Sequence, residues 1–149
     1  NPPSFYAAFG SKAELYSRIL DRYAGTGAIP LFDLLNADRP VAECLVAVLE
    51  AAARRYAADP DAAGCLVIEG VRCTDREARE AAGTFLAAAE EAIHRFVAAR
   101  HPEQAERVTD HMSTAMAGLP ASARNGHDLA RLLAAARLAG AGLEQVVRG

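Results

Sequence analysis

The sequence predicts an all-α protein, and three observations carry that prediction. Apolar residues recur at intervals of three and four over long stretches, which places them on one face of a helix. The chain is 52% hydrophobic but only 6% aromatic, with alanine very abundant, a composition suited to helices that approach closely through small side chains. Between the stretches stand residues that start and end helices: Ser11 with Glu14, Asp38-Arg39-Pro40, Thr74 with Glu77, His101-Pro102 and Asn125-Gly126. At 149 residues the chain can bury a sizeable core in one or two units.

The first predicted helix is short. Pro2 and Pro3 suit a first helical turn, where a missing N–H has no intrahelical partner to lose, and Phe5 and Phe9 stand four apart on one face. Gly10 breaks this helix. Ser11 and Glu14 have capping-box spacing, in which the hydroxyl accepts from the Glu14 amide and the carboxylate accepts from the Ser11 N–H. A second helix runs from about 12 to 24, with Leu15, Ile19 and Leu20 on its apolar side, and Gly25-Thr26-Gly27 ends or kinks it. Residues 29–36 form a helical turn or two around Phe32 and Leu35.

Pro40, at the first helical position, opens a helix to about residue 58. Val41, Cys44, Leu45, Val48, Leu49, Ala52 and Tyr56 form its apolar stripe, and Asp59-Pro60-Asp61 closes it. The run 64–71 is nearly all apolar; periodicity alone leaves helix or strand open, and its helical surroundings favour helix. Thr74 and Glu77 repeat the capping-box spacing before a long helix to about Arg100, facing inward through Ala78, Ala82, Phe85, Leu86, Ala89, Ile93, Phe96 and Val97. Two further helices, about 102–124 and 128–147, complete the chain, separated by Asn125-Gly126 as a left-handed cap.

The run Pro3-Ser4-Phe5-Tyr6-Ala7-Ala8-Phe9-Gly10-Ser11-Lys12-Ala13-Glu14-Leu15 resembles the end of the helix-turn-helix domain of TetR-family transcriptional regulators. That family's recognition helix reads roughly S-x-x-[ST]-[LF]-Y-x-H-F, followed by x-[SN]-K-x-x-L at the start of the next helix. Residues 4–15 match this pattern, and the order of the remaining helices agrees over the whole chain. The departure is Ala8, where the family carries His, which removes one phosphate or base contact. The resemblance implies DNA contact by Pro3, Ser4, Tyr6, Ala7 and Lys12, with Tyr6 and Lys12 toward phosphate and Ser4 and Ala7 toward base edges or thymine methyls. It also implies a division into residues 1–24, a remnant of the DNA-binding domain with its connecting helix, and residues 25–149, a ligand-binding and dimerisation domain. Two helical turns are not stable alone, and the chain supplies no upstream partner for Phe5 and Phe9. It begins at Asn1 without Met, so a longer parent protein carrying the preceding helices is expected.

Charge and cysteine content narrow the classes. The net charge is −3, so the chain as a whole is no polyanion binder. Within residues 1–24, Lys12, Arg18 and Arg22 stand against Glu14 and Asp21, a slight positive balance, and most of any basic DNA footprint is expected in the preceding helices. Cys44, Cys65 and Cys73 include no C-x-x-C pair and read as reduced, mostly buried thiols of a cytoplasmic protein. No run of 18 uncharged apolar residues is present to span a membrane.

Catalytic and cofactor motifs are sparse. No G-x-S-x-G, P-loop or G-x-G-x-x-G occurs, so neither enzyme chemistry nor a cofactor is expected. Glu91 and His94 have the Glu-x-x-His spacing of carboxylate-bridged metal bundles, but such a site needs two copies, and a solvated helix face is the simpler reading. An all-α enzyme, a metal-binding bundle and a plain helical interaction module stay open as alternatives.

The last two helices are small or apolar on most sides, through Ala115, Met116, Gly118, Leu119, Ala121 and Ala123, then Ala134–Ala136 and Ala139–Gly142. A helix apolar nearly all round must be covered on more than one side. One side faces the chain's own core and the other a second copy related by two-fold symmetry, as the resemblance also implies; Met116, Leu132, Ala136 and Leu143 are the interface candidates. For the effector pocket that the resemblance implies, Tyr56, Phe85, Met112 and Met116 are candidate walls, since methionine adapts to irregular shapes and aromatics supply contact area. Cys44, Glu69 and His94 are the nearest polar candidates. The expected function is thus a ligand-responsive DNA-binding regulator, a homodimeric repressor released from operator DNA by a small apolar or amphipathic effector. Lys12→Ala in the intact protein should weaken binding to every duplex alike and lower the slope of log affinity against log salt by about 0.9. An unchanged slope in a salt titration would remove Lys12 from the interface.

Overall fold

A computed structural model describes residues 10–26, 28–59 and 65–147, apart from the side chains of Lys12, Ala13 and Thr26. Every regular element among the described residues is helical. In order they are α1 (Lys12–Thr26), α2 (Leu31–Leu34), α3 (Val41–Ala57), α4 (Leu66–Gly70), α5 (Arg76–Ala98), a 3-10 turn (Pro102–Gln104), α6 (Ala105–Arg124) and α7 (Leu129–Val146). From residue 12 onward the expected order of helices is reproduced, with Leu66–Gly70 a helix rather than a strand; the first expected helix lies outside the described residues. Compactness divides the chain differently from a cut at residue 24. One unit joins the N-terminal stretch through Ala28 to Leu66–Ala87, and the other comprises Ile29–Cys65 and Ala88–Gly149.

The larger unit is built around α3. Val41, Ala42, Cys44, Leu45, Val48, Leu49, Ala52, Ala53 and Tyr56 are all buried, a face too wide for a single neighbour to cover. It is covered mainly by α7 and then by α6, which also pack on each other. The facing residues are Leu132, Ala136, Gly140 and Leu143 of α7, together with Val108, Met112 and Leu119 of α6. Gly140 sets how near α7 comes: a Cβ there would overlap Cγ2 of Val46. Around this core, Arg137 donates from Nε to Glu50 Oε1 at 2.7 Å. The Arg100 guanidinium lies 5.1 Å from the Phe96 ring centroid and donates to the Arg39 carbonyl at 2.6 Å, which ties the approach to α3 to the end of α5.

Several helix ends follow from the sequence, and others correct it. The α6–α7 turn is as expected: Gly126 has φ +83. Its N–H donates to the Ala123 carbonyl at 3.0 Å and the His127 N–H to the Ser122 carbonyl at 3.1 Å, the paired bonds of a Schellman motif. Asp128 caps α7 by accepting from the Arg131 N–H at 2.9 Å. Pro40 takes the capping position before α3 rather than the first helical one. At α5 the cap is Asp75, whose Oδ1 accepts from the Ala78 N–H at 3.0 Å, not the expected Thr74–Glu77 pair. Pro120 lies inside α6 and is buried; it has no N–H to donate to the Met116 carbonyl one turn back.

In the smaller unit α1 is buried at Leu20, while Ile19 is 43% exposed, so the inward stripe is Tyr16–Leu20–Tyr23 and not the one through Ile19. Val67, Ile68, Gly70, Ala78 and Ala82 are its other buried residues. α5 contributes its first half to this unit and its second half to the larger one.

The two kinds of helical glycine should respond oppositely to a methyl group. Gly140→Ala crowds a stiff β-branched neighbour, so overpacking of about 1–3 kcal/mol outweighs a helix-propensity gain of up to about 1 kcal/mol, and Val46→Ala in the same chain should relieve it. Gly83, with nothing near its would-be Cβ, should instead stabilise by about 0.5–1 kcal/mol as Gly83→Ala. Urea midpoints of the four variants, including the Val46→Ala/Gly140→Ala pair, measure both signs.

Candidate functional sites

The turn that precedes α1 is closely specified. Gly10 has φ +77, a conformation that costs any residue with a Cβ, and a Cβ there would also overlap the Glu14 carboxylate. The capping box forms as its spacing predicts: the Ser11 N–H donates to Glu14 Oε2 at 2.6 Å and the Glu14 N–H to Ser11 Oγ at 3.1 Å. The chain therefore enters α1 through a fixed geometry. Pro3, Ser4, Tyr6 and Ala7 lie outside the described residues, as does the side chain of Lys12, so their DNA contacts stay with the resemblance.

One turn into α1, Tyr16 donates its hydroxyl to the Leu66 carbonyl at 3.1 Å. Beneath it lies Gly70, where a Cβ would overlap that hydroxyl and stand 2.6 Å from Ala82 Cβ. Neither residue was singled out by the sequence. A tyrosine on an amphipathic stripe reads as ordinary core, and a glycine ending an apolar run reads as a stop signal.

The candidate effector walls do not share one environment. Tyr56 and Met112 are buried at 2% and 0% exposure and Met116 is half-buried; all three belong to the larger unit. Phe85 is half-buried and belongs to the smaller one. Of the polar candidates, Cys44 is buried and its thiol donates to the Asn36 carbonyl at 3.4 Å, which makes it a structural contact of the turn before α3. Glu69 buries its Oε1 atom, and His94 is half-buried. A further polar contact lies nearby in sequence: Ser113 donates to Glu90 Oε1 at 2.8 Å, partly buried, between α6 and α5. Glu91 pairs with Arg95 on an exposed surface. Among the described residues no three His, Cys, Asp or Glu side chains gather as metal ligands, and no helix is long and apolar enough to cross a membrane. Cys65 is buried, and the Cys73 thiol donates to the Asp75 carbonyl at 3.3 Å.

The interface candidates need re-aiming. Leu132, Ala136 and Leu143 are 1%, 2% and 2% exposed within the single chain, so their own fold already covers them; only Met116 keeps part of its surface. The opposite face of α7 carries Ala134, Ala135, Ala141 and Gly142, all exposed, around Leu138 at 77% exposure. Gly118 of α6 is exposed as well.

Two comparisons with known proteins bear on this helical architecture. No family model matches the chain. The HTH-type transcriptional repressor BdcR of Escherichia coli (strain K12) is 53% identical to it over 147 residues, which is 99% of this chain and 75% of that protein. Among solved structures, a cysteine mutant of the TetR family transcriptional regulator CifR, in complex with 26 bp double-strand operator DNA, is similar with a TM-score of 0.77 and 27% identity. The match covers 94% of this chain and 78% of that one. An all-helical fold entered through a capped turn, with this degree of identity to a repressor, defines a transcriptional regulator. The chain belongs to the TetR family.

Gly10→Ala should destabilise the start of α1 by about 1–2 kcal/mol and release Glu14 from the Ser11 amide. Amide hydrogen exchange in the first turn of α1 should rise, with α3 unaffected. Retained protection would show that the turn tolerates a side chain.

Proposed function

We propose that this protein is a homodimeric DNA-binding repressor that leaves its operator when a small apolar or amphipathic effector binds the larger unit. Identity of 53% to a transcriptional repressor over nearly the whole chain is the observation that carries the reading. The operator DNA bound by CifR supports the same partner class here, and residues Pro3, Ser4, Tyr6, Ala7 and Lys12 are the proposed contacts. A dimer presents two readers to half-sites about one DNA turn apart, or a multiple of it. An effector that prefers a conformation with the readers out of register then shifts the population away from DNA.

The proposed pocket draws on Tyr56, Met112 and Met116, with the Glu90–Ser113 pair as a part-buried polar group of the same unit. The proposed dimer surface is the outer face of α7 around Leu138, joined by Gly118 of α6; Met116, two residues away and on another side of α6, stays with the pocket. Exposed alanine and glycine there let a second copy approach closely. The interface, on this reading, is continuous in sequence with the one first expected but turned to the other side of the same helix.

The intact protein should retain a discrete set of fragments when challenged with DNA from its own genome, and those fragments should share a palindromic half-site. Leu138→Glu should convert the dimer to monomers by sedimentation and weaken binding to the selected fragment, while the helical content of the folded monomer is kept because the side chain is exposed within the single chain. An unaltered dimer would place the interface elsewhere; absence of any selected fragment would overturn DNA binding itself.

A further inference from the structure

The smaller unit holds α1 by a narrow contact. Its inward stripe is Tyr16, Leu20 and Tyr23, spaced four and three, and only Leu20 is fully buried. A helix held along one thin apolar stripe can roll and slide, because hydrophobic contact is non-directional. A hydrogen bond is directional, and Tyr16 makes one: its hydroxyl donates to the carbonyl of Leu66, the first residue of α4. The phenol can reach that carbonyl only because Gly70 has no side chain, since a Cβ would occupy the space of the hydroxyl and press on Ala82. Three elements, α1, α4 and α5, thus meet at one polar contact.

α4 has five residues, too few for a helix to hold by its own bonds. Its position depends on what clasps it. In the other direction, Tyr16 is five residues from Ser11, about 7.5 Å along the helix. The turn at Ser11 is fixed by the capping box and by the positive φ of Gly10. Between the tyrosine and the turn at Gly10 and Ser11 the chain is continuous helix and its cap.

We propose that Tyr16 is a positioning residue for the DNA-reading end: its hydroxyl, seated over Gly70 on the Leu66 carbonyl, fixes α1 against α4 and thereby sets the placement of the reader that leads into α1. This rests on the reading of residues 3–12 as DNA-contacting. Tyr16 touches no DNA in this scheme. Its effect on binding is entirely through the angle and register it imposes on the helix after the reader, so it discriminates operator from other DNA rather than adding affinity for both.

The test uses the intact protein with Tyr16→Phe, which removes one oxygen, and Gly70→Ala, which displaces the same oxygen without touching the tyrosine. Two readouts are taken. The first is amide hydrogen exchange without DNA: protection over residues 14–24 and 66–70 should fall in both variants, while 41–57 and 129–146 keep theirs. The second is the ratio of affinity for a genomic fragment selected by the wild-type protein to affinity for a random duplex of equal length. Each variant should lower that ratio about two- to tenfold, the range one hydrogen bond spans, and the double variant should lower it no further than Gly70→Ala alone. A loss of folded protein would weaken both duplexes equally and leave the ratio standing, which overturns the proposal. Unchanged exchange at 66–70 in Tyr16→Phe overturns it too. If the wild-type protein selects no DNA, the DNA reading fails and positioning of a reader fails with it. The exchange arm then still decides, by itself, whether Tyr16 clasps α4.

Discussion

The larger unit depends on how closely alanine-rich helices can approach α3. An alanine buries little area, so a helix made of alanines gains from contact only if backbones come near and many weak contacts add up. Gly140 against Val46 is where that limit is met. The fully buried set on α3, from Val41 to Tyr56, follows from it, because α7 lies near enough to cover one side and leaves α6 to cover another. The large side chains with almost no exposure, Leu45, Leu49, Met112 and Leu132, all lie within this group. Polar ties such as Arg137–Glu50, with the arginine side chain 61% exposed, are peripheral; pairs of that kind contribute about 0–1 kcal/mol.

The smaller unit solves a different problem. It holds α1 along an apolar stripe that is thin, with only Leu20 fully buried. Directional contacts do what area does elsewhere: a reciprocal cap at Ser11 and Glu14, a left-handed glycine before it, and a tyrosine hydroxyl on a backbone carbonyl. Glycine appears in the two units for related reasons. Gly70 admits a hydroxyl and Gly140 admits a helix, and in each case the absence of Cβ is what the neighbour occupies.

Most of the fold was legible in the sequence, because caps and breakers are local. Ser11 with Glu14, Asn125-Gly126 and His101-Pro102 each act within one turn, and the helices they bound lie within a few residues of expectation. Failures came where local rules tie. Thr74 and Asp75 can both cap α5, and only the three-dimensional end decides that Asp75 does. Pro120 is not such a failure: the helix expected over about 102–124 runs through it, as α6 does, because a proline in a buried helix loses one bond while its ring packs. Ile19 and Tyr16 compete for the inward face of α1, and the stripe ending in the tyrosine wins, where a carbonyl is there to accept its hydroxyl. The sites were less legible than the fold. The tyrosine latch joins residues fifty apart in sequence, and nothing in residues 66–70 marks a carbonyl as its acceptor.

The surface of α7 shows why a helix can be found without its orientation. Inward residues Leu132, Ala136, Gly140 and Leu143 and outward residues Ala134, Leu138, Ala141 and Gly142 are nearly equal in hydrophobicity. Leucine, alanine and glycine stand on both sides, and the few polar residues that mark the outer one, Arg131, Arg137, Glu144 and Gln145, fix the angle only loosely. What separates them is contact with α3. Leu132 and Leu143 share a face with Gly140, the residue that must meet Val46, and that single requirement turns Leu138 outward. With Leu132, Ala136, Gly140 and Leu143 all turned to the core, Leu138 is left exposed. The constraint that closes the core is therefore the same one that chooses the exposed surface.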